Sequence, residues 1–163
     1  TFHFHLPDAI IFPTGGGTGL IGMWKAFCEL TELGWLENSR LPRMIAVQAE
    51  GCAPIVRAFQ LNLDHCEFWA DASTYANGLR VPLSFAHKQI LDVIRESQGF
   101  ALAVSDMAMQ NAQNELATKE GILASPEGAA SFAALQQLVE RDLIHPDEQV
   151  LLFNTASGLK YIS

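Results

Sequence analysis

The sequence predicts an α/β fold, a mostly parallel sheet with helices on both faces. Three observations carry this. Four short runs are wholly apolar instead of alternating, as expected of strands buried on both sides. The segments between them repeat apolar residues at helical spacing. Strand-like and helix-like segments also take turns along the chain, which is the pattern of β-α-β units.

Ala9-Ile10-Ile11-Phe12 is the first strand, stopped by Pro13 and a glycine cluster. From Thr18 to Leu33 apolar residues recur at Leu20, Ile21, Trp24, Phe27, Cys28 and Leu30, which makes a helix closed by Gly34. Met44 to Val47 is the second strand, and Ala53 to Phe59 reads as a helix with Pro54 in its first turn. Residues 62–82 lack periodicity and are expected to be a long loop. Gln89 to Glu96 is amphipathic helix, and Phe100 to Val104 is the third strand. Ser105 and Asp106 offer N-caps for a helix towards Glu120. Pro126 and Glu127 open another helix through Glu140, and Val150 to Phe153 is the last strand.

The chain has 163 residues, one domain's worth, and residues 1–163 carry no clear linker or internal repeat. Ten Lys+Arg against eighteen Asp+Glu give a net charge of −8, which argues against a nucleic-acid backbone as partner. No apolar run is long enough to span a bilayer and no basic, export-type leader is visible, so a cytoplasmic protein without a membrane partner is expected. Cys28, Cys52 and Cys66 are odd in number, with no CxxC or CxxH spacing, and suggest neither a disulfide framework nor a zinc site. The first residue is Thr1 and a strand follows almost at once, which raises the expectation of further chain upstream.

Pro13-Thr14-Gly15-Gly16-Gly17-Thr18-Gly19-Leu20 links the first strand to the first helix. Glycines allow positive φ and close approach of a ligand, and the free N–H groups of a helix start face the turn, so the loop suits a phosphate. It also falls at the carboxyl end of a strand, where ligands of open α/β sheets lie. A tight turn that binds nothing is the plain alternative. A dinucleotide fingerprint has different glycine spacing, and the Lys-Ser/Thr pair of a nucleoside-triphosphate loop is absent, which disfavours a Rossmann-type dehydrogenase.

The ordered set PTGGGTGLIGMWKAF, RMIAVQAEGCAPIVRAF, GLRVP, SPEGAA and FNTASGLKY, spread from Pro13 to Tyr161, resembles the carboxyl-terminal half of threonine synthase, in the fold type II pyridoxal phosphate enzymes. The resemblance implies pyridoxal 5'-phosphate as cofactor, with its phosphate held by the backbone of Gly15, Gly16, Gly17, Thr18 and Gly19. It also implies that the Thr155 hydroxyl meets the pyridine nitrogen, with Ser157 as the fallback. Ala156 stands where the family usually has glycine, which puts that turn's geometry in question.

The same resemblance calls for a Schiff-base lysine upstream of the glycine loop. Lys25, Lys88, Lys119 and Lys160 are the only lysines and none has the expected context; Lys160 is expected to lead away from the site. No catalytic residue is therefore assigned within this chain. It reads as the incomplete large domain of a longer protein, inactive alone and a partner for its own amino-terminal portion, in a homo-oligomer acting on a small amino-acid substrate. The implied reaction converts O-phospho-L-homoserine and water to L-threonine and phosphate. A serine/threonine dehydratase, a β-replacement enzyme and a non-catalytic phosphate-binding module are the alternatives.

Other residues have plain readings beside functional ones. Glu50 is expected to be exposed or capping rather than a cation ligand, and Glu127 to be a first-turn acid favourable to a helix dipole. Asp106 could lie near the cofactor mouth. Cys52 is expected to be a small buried hydrophobe. His3 and His5 read as a solvated edge, and Trp24, Trp35 and Trp69 as core or interface.

Overall fold

The computed structural model describes residues 4–161. Among them four strands form one parallel sheet: β1 (Ala9–Pro13), β2 (Arg43–Ala49), β3 (Ala101–Val104) and β4 (Val150–Leu152), in the spatial order β3-β2-β1-β4. β1 pairs with β2 from Ala9 opposite Arg43 to Pro13 opposite Val47, and with β4 from Ala9 opposite Val150 to Ile11 opposite Leu152. Five helices join them: α1 (Thr18–Glu32), α2 (Pro54–Gln60), α3 (His87–Glu96), α4 (Asp106–Glu120) and α5 (Pro126–Glu140). The α/β expectation holds, with strands and helices placed as the apolar pattern predicts.

Successive residues of a strand face opposite sides, so each apolar run feeds two cores. Ala9, Ile11, Ile45, Val47, Leu102 and Val104 pack against α4 and α5. Ile10, Met44, Ala46 and Ala101 pack with residues of α1, α2 and α3 on the other side. This is why the strands are apolar without alternation.

Two details differ from expectation. The apolar run predicts that β4 is buried like the others, yet Leu151 is 44% exposed. Leu151 lies opposite Ile10, on the face that α1, α2 and α3 cover, and of the helices only α5, on the other face, packs closely on β4. β3, the other edge strand, is covered by α2 and α5 and stays buried. The cap of α4 is Ser105 alone, whose hydroxyl accepts the Ala108 amide at 3.1 Å. Asp106 is the first helical residue instead, and its carboxylate accepts the Thr74 hydroxyl at 2.6 Å and the Tyr75 amide at 3.2 Å. It ties down the long loop that precedes α3. That loop is irregular, as expected, save for a 3-10 turn at Asn77–Leu79.

Arg43 fixes the opposite end of the sheet. Its guanidinium donates to Glu148 at 2.6 Å and to the Leu143 carbonyl at 3.0 Å. The pair is largely screened from solvent and holds the segment between α5 and β4 against the start of β2.

Candidate functional site

The strand order creates one natural crevice. From β1 the chain builds through β2 to β3 with α1, α2 and α3 on one face. It then crosses by α4 and α5 on the other face to place β4 on the far side of β1. Loops leaving β1 and β4 at their carboxyl ends therefore part in opposite directions, which is the switch point where ligands of such sheets bind. The glycine loop leaves β1 there, and the Asn154–Gly158 turn leaves β4.

The glycine loop is shaped from beneath. Thr14 is fully buried; its amide donates to the Val47 carbonyl at 2.8 Å and its hydroxyl to the Phe12 carbonyl at 2.8 Å. Gly15 passes so close to the neighbouring turn that a Cβ there would lie 2.2 Å from the Gly78 carbonyl oxygen. Gly17 caps α1 with φ 82°, the left-handed region that glycine adopts without cost. The Ser84 hydroxyl donates to the Gly16 carbonyl at 2.7 Å and pins the outer side.

This loop leaves its donors free. Among the described residues, none of the amides of Gly15, Gly16, Gly17, Thr18, Gly19 and Leu20 finds an acceptor, and α1 has neither a side-chain cap nor an acid in its first turn. Thr18 and Gly19 are exposed and Gly16 has open space where a side chain would stand. Unsatisfied N–H groups at a helix start, with the positive end of its dipole, attract an anion.

Beside the loop lies a cleft of about 450 Å³ lined by Pro13, Asn77, Gly78, Glu127, Thr155, Ala156, Lys160 and Tyr161. Pro13 is the residue that ends β1 and enters the glycine loop. Thr155 is exposed, and its hydroxyl makes no hydrogen bond to a described residue. Lys160 lines the cleft too, contrary to the expectation that it leads away, because the 3-10 turn Gly158–Tyr161 folds the chain back. Gly158 anchors that turn by donating to the Leu123 carbonyl at 2.8 Å.

Glu127 is the residue that sequence reasoning undervalues. It stands in the first turn of α5, as expected, but only 7% of it is exposed. Its Oε1 accepts the Gly78 amide at 2.8 Å and the Tyr161 hydroxyl at 2.6 Å. Burial pushes its carboxyl up, but the Tyr161 hydroxyl, its own amide, the Gly78 amide and the Ser125 hydroxyl outweigh this and hold it below the usual carboxylate value. Burial, and then the Glu127 hydrogen bond and charge, push the Tyr161 phenol up to about 12. The only available signal is the position of Glu127 within SPEGAA, since Gly78 and Tyr161 are remote in sequence.

The remaining candidates stay apart from the cleft. Glu50 is exposed, in agreement with the plain reading. Cys52 is fully buried and burial pushes its thiol up, as it does for Cys66, to about 11. Asp106 engages Thr74 and Tyr75 and does not line the cleft. Lys25 pairs with Glu29 and Lys119 with Glu115 on exposed helix faces. Ser157 accepts the Leu159 amide with its hydroxyl at 3.3 Å. His5 is exposed, 3.7 Å from Glu37, and His3 lies outside the described residues. Trp35 is 42% exposed, whereas Trp24 and Trp69 are half-buried, the latter under the Arg57 guanidinium at 4.8 Å. No group of three or more His, Cys, Asp or Glu among the described residues is arranged to hold a metal ion, and no described helix is long and apolar enough to cross a membrane.

Comparison with known proteins places these features in a wider set. Residues 3–156 match the model of the pyridoxal-phosphate dependent enzyme family. The chain is 35% identical over 158 residues to threonine synthase of Methanocaldococcus jannaschii, covering 97% of this chain and 38% of that protein. It is 36% identical over 157 residues to threonine synthase of Methanosarcina acetivorans, covering 96% and 38%. Among solved structures, a threonine deaminase from T.th. superimposes with a TM-score of 0.69 at 25% identity, over 94% of this chain and 46% of that one. The chain thus spans about two fifths of the length of the curated relatives it matches.

Proposed function

The chain belongs to the pyridoxal-phosphate dependent enzyme family, and from that premise we propose that it forms the phosphate and ring-nitrogen side of the cofactor site in a threonine-synthase-like enzyme. The observation that carries the reading is the row of unpaired amides from Gly15 to Leu20, set at the switch point beside a cleft that also presents Thr155.

The residues present fit such a cofactor. A phosphate dianion needs several convergent N–H donors and no competing acid, and the start of α1 supplies both. A Cβ at Gly15 would strike the Gly78 carbonyl, so the loop's close approach to the Asn77–Leu79 turn depends on glycine. Thr155 has an uncommitted hydroxyl on the neighbouring wall, able to donate to or accept from a ring nitrogen.

When bound, pyridoxal phosphate supplies an electron sink for the carbanion formed on an amino-acid substrate. In this reading the backbone of Gly15, Gly16, Gly17, Thr18 and Gly19 holds the phosphate. Thr155 orients the ring through its nitrogen. A hydroxyl, unlike a carboxylate, leaves that nitrogen without a fixed positive charge and so moderates the sink. Gln48, Thr14 and Ser84 hold the loop's shape.

The reactive lysine and most contacts to the substrate carboxylate are assigned to a portion of the protein upstream of this chain. The two-fifths coverage of the threonine synthases supports this; Lys160, the one lysine lining the cleft among the described residues, stands outside the sequence context the resemblance calls for. The proposed overall reaction is O-phospho-L-homoserine plus water giving L-threonine plus phosphate. The likeness to a threonine deaminase favours amino-acid deamination as the second reading, because the same cofactor side would serve both.

The test is an absorbance titration of the longest natural form of the protein with pyridoxal phosphate, followed by borohydride reduction and peptide mapping. A labelled lysine upstream of Gly15, with turnover of O-phospho-L-homoserine, is the expected result. Turnover of L-threonine or L-serine alone would favour the second reading, and no labelled lysine would overturn both.

A further inference from the structure

Glu127 is built into the cleft wall in a way its structural bonds do not explain. Only 7% of the residue is exposed, and Oε1 takes both donors that reach the carboxylate from other segments, Gly78 and Tyr161. Oε2 is buried and accepts no hydrogen bond: the Ser125 hydroxyl and the Glu127 amide stand near enough to favour the charged carboxyl, but neither meets Oε2 in hydrogen-bond geometry. An ionised carboxylate oxygen left unpaired costs about 1–3 kcal/mol or more, and such orphans are few in native proteins.

The cleft is the natural source of the missing donor. Glu127 lines it together with Thr155, Lys160 and Tyr161. Tyr161 is already committed to Oε1, and the Tyr75 hydroxyl nearby donates to Gln113 at 3.0 Å. A negative carboxylate repels a phosphate or a second carboxylate, so what faces it must be an N–H or O–H group. The anionic parts of a ligand would then lie on the glycine-loop side, where the amides are free.

We propose that Glu127 is a ligand-contacting carboxylate of this cleft, its Oε2 accepting a hydrogen bond from an N–H or O–H donor of the cofactor or of its amino-acid substrate. The inference rests on the cofactor reading above and deepens it. It also gives the SPEGAA segment a role. Pro126 and the Ser125 cap start α5 where its first turn can aim an acid into the cleft.

The test uses the longest natural form of the protein and E127Q. Glutamine keeps the Oε1 acceptor for Gly78 and Tyr161 and places an amide NH2 where Oε2 stood, so the fold is expected to survive while the contact becomes donor against donor. Titration with pyridoxal phosphate, and of the loaded protein with L-threonine, reads the two sources separately. A rise in Kd of about tenfold or more is expected for the cofactor if the donor is on the cofactor, or for L-threonine alone if it is on the amino acid. Unchanged Kd for both would overturn the proposal.

Two further measurements close the remaining routes. In a double-mutant cycle with K160A, the E127Q effect is expected to persist in full; its disappearance would assign the donor to Lys160 and overturn the proposal. Should E127Q not fold, the carboxylate bands of the wild-type infrared difference spectrum decide. A shift on adding pyridoxal phosphate or L-threonine is expected, and no shift with either contradicts it. Failure of the wild type to bind pyridoxal phosphate at all would count against the cofactor reading itself, a result distinct from these.

Discussion

The Gln48 amide donates to the Thr14 carbonyl at 3.2 Å, while its oxygen accepts the Ile55 amide at 2.8 Å and the Val56 amide at 3.2 Å. One fully buried polar side chain in β2 thus satisfies the start of α2 and fixes Thr14, the residue before the first glycine of the loop. Backbone N–H groups at a helix start have no partner within the helix, and Ala53 offers α2 no side-chain cap. Gln48 serves as that cap from a neighbouring strand.

Gln48→Leu would therefore leave two buried amides and one buried carbonyl unpaired. A loss of about 2–4 kcal/mol in unfolding free energy is expected. Urea denaturation checks it, and an unchanged midpoint would contradict the role assigned to Gln48.

The glycines of the loop are not equivalent. Gly15→Ala brings a Cβ within 2.2 Å of the Gly78 carbonyl, and Gly17→Ala places one 2.1 Å from Ile90 on a backbone with φ 82°. Both are expected to weaken pyridoxal phosphate binding by about tenfold or more and to lower stability by about 1 kcal/mol or more. Gly16→Ala meets nothing within 4 Å and should fold as the wild type does. Binding titrations and thermal melts on the three variants distinguish these outcomes.

Ser125 caps α5 by accepting the Gly128 amide at 3.2 Å, and Ser105 caps α4 in the same way. Each alanine substitution should cost about 1 kcal/mol by chemical denaturation. S125A has a second expected effect that S105A lacks, weaker cofactor binding, since α5 carries Glu127 into the cleft.

The depressed Glu127 carboxyl sets a sign for the acid response. Its folded pKa lies below the ordinary value of 4.5, so its contribution is fully present above that value and is lost as pH falls through the folded one. Stability measured by urea titration should fall on acidification through this range, and E127Q should flatten that limb. An acid limb identical in both proteins would contradict the bonding seen around Glu127. Tyr161 acts with the opposite sign: its contribution is present below its ordinary pKa of 10.0 and is lost as pH rises through about 12.

What the sequence reveals follows from how local each signal is. The strands and helices are legible because an apolar run between a helix end and a glycine or proline marks a buried strand within a few residues. The glycine loop is legible because its chemistry is local to one strand-to-helix turn. Leu151 escapes the sequence because a strand covered by helices on one face reads like one covered on both, and only the packing shows that α5 alone among the helices lies close against β4. Gln48, Glu127 and Lys160 escape it for a common reason. Their importance lies in contacts with Thr14, Gly78 and the folded-back Gly158–Tyr161 turn, which no spacing pattern records.

In the function proposed above, the free amides beginning at Gly15 hold a phosphate. The most direct test compares the affinity of the longest natural form of the protein for pyridoxal phosphate with that for pyridoxal, which lacks the phosphate. Charge-assisted hydrogen bonds to a helix start predict a preference of about a hundredfold or more for the phosphorylated form, collapsing in G15A. Equal affinity for the two, or a preference that survives G15A unchanged, would contradict phosphate binding by this loop.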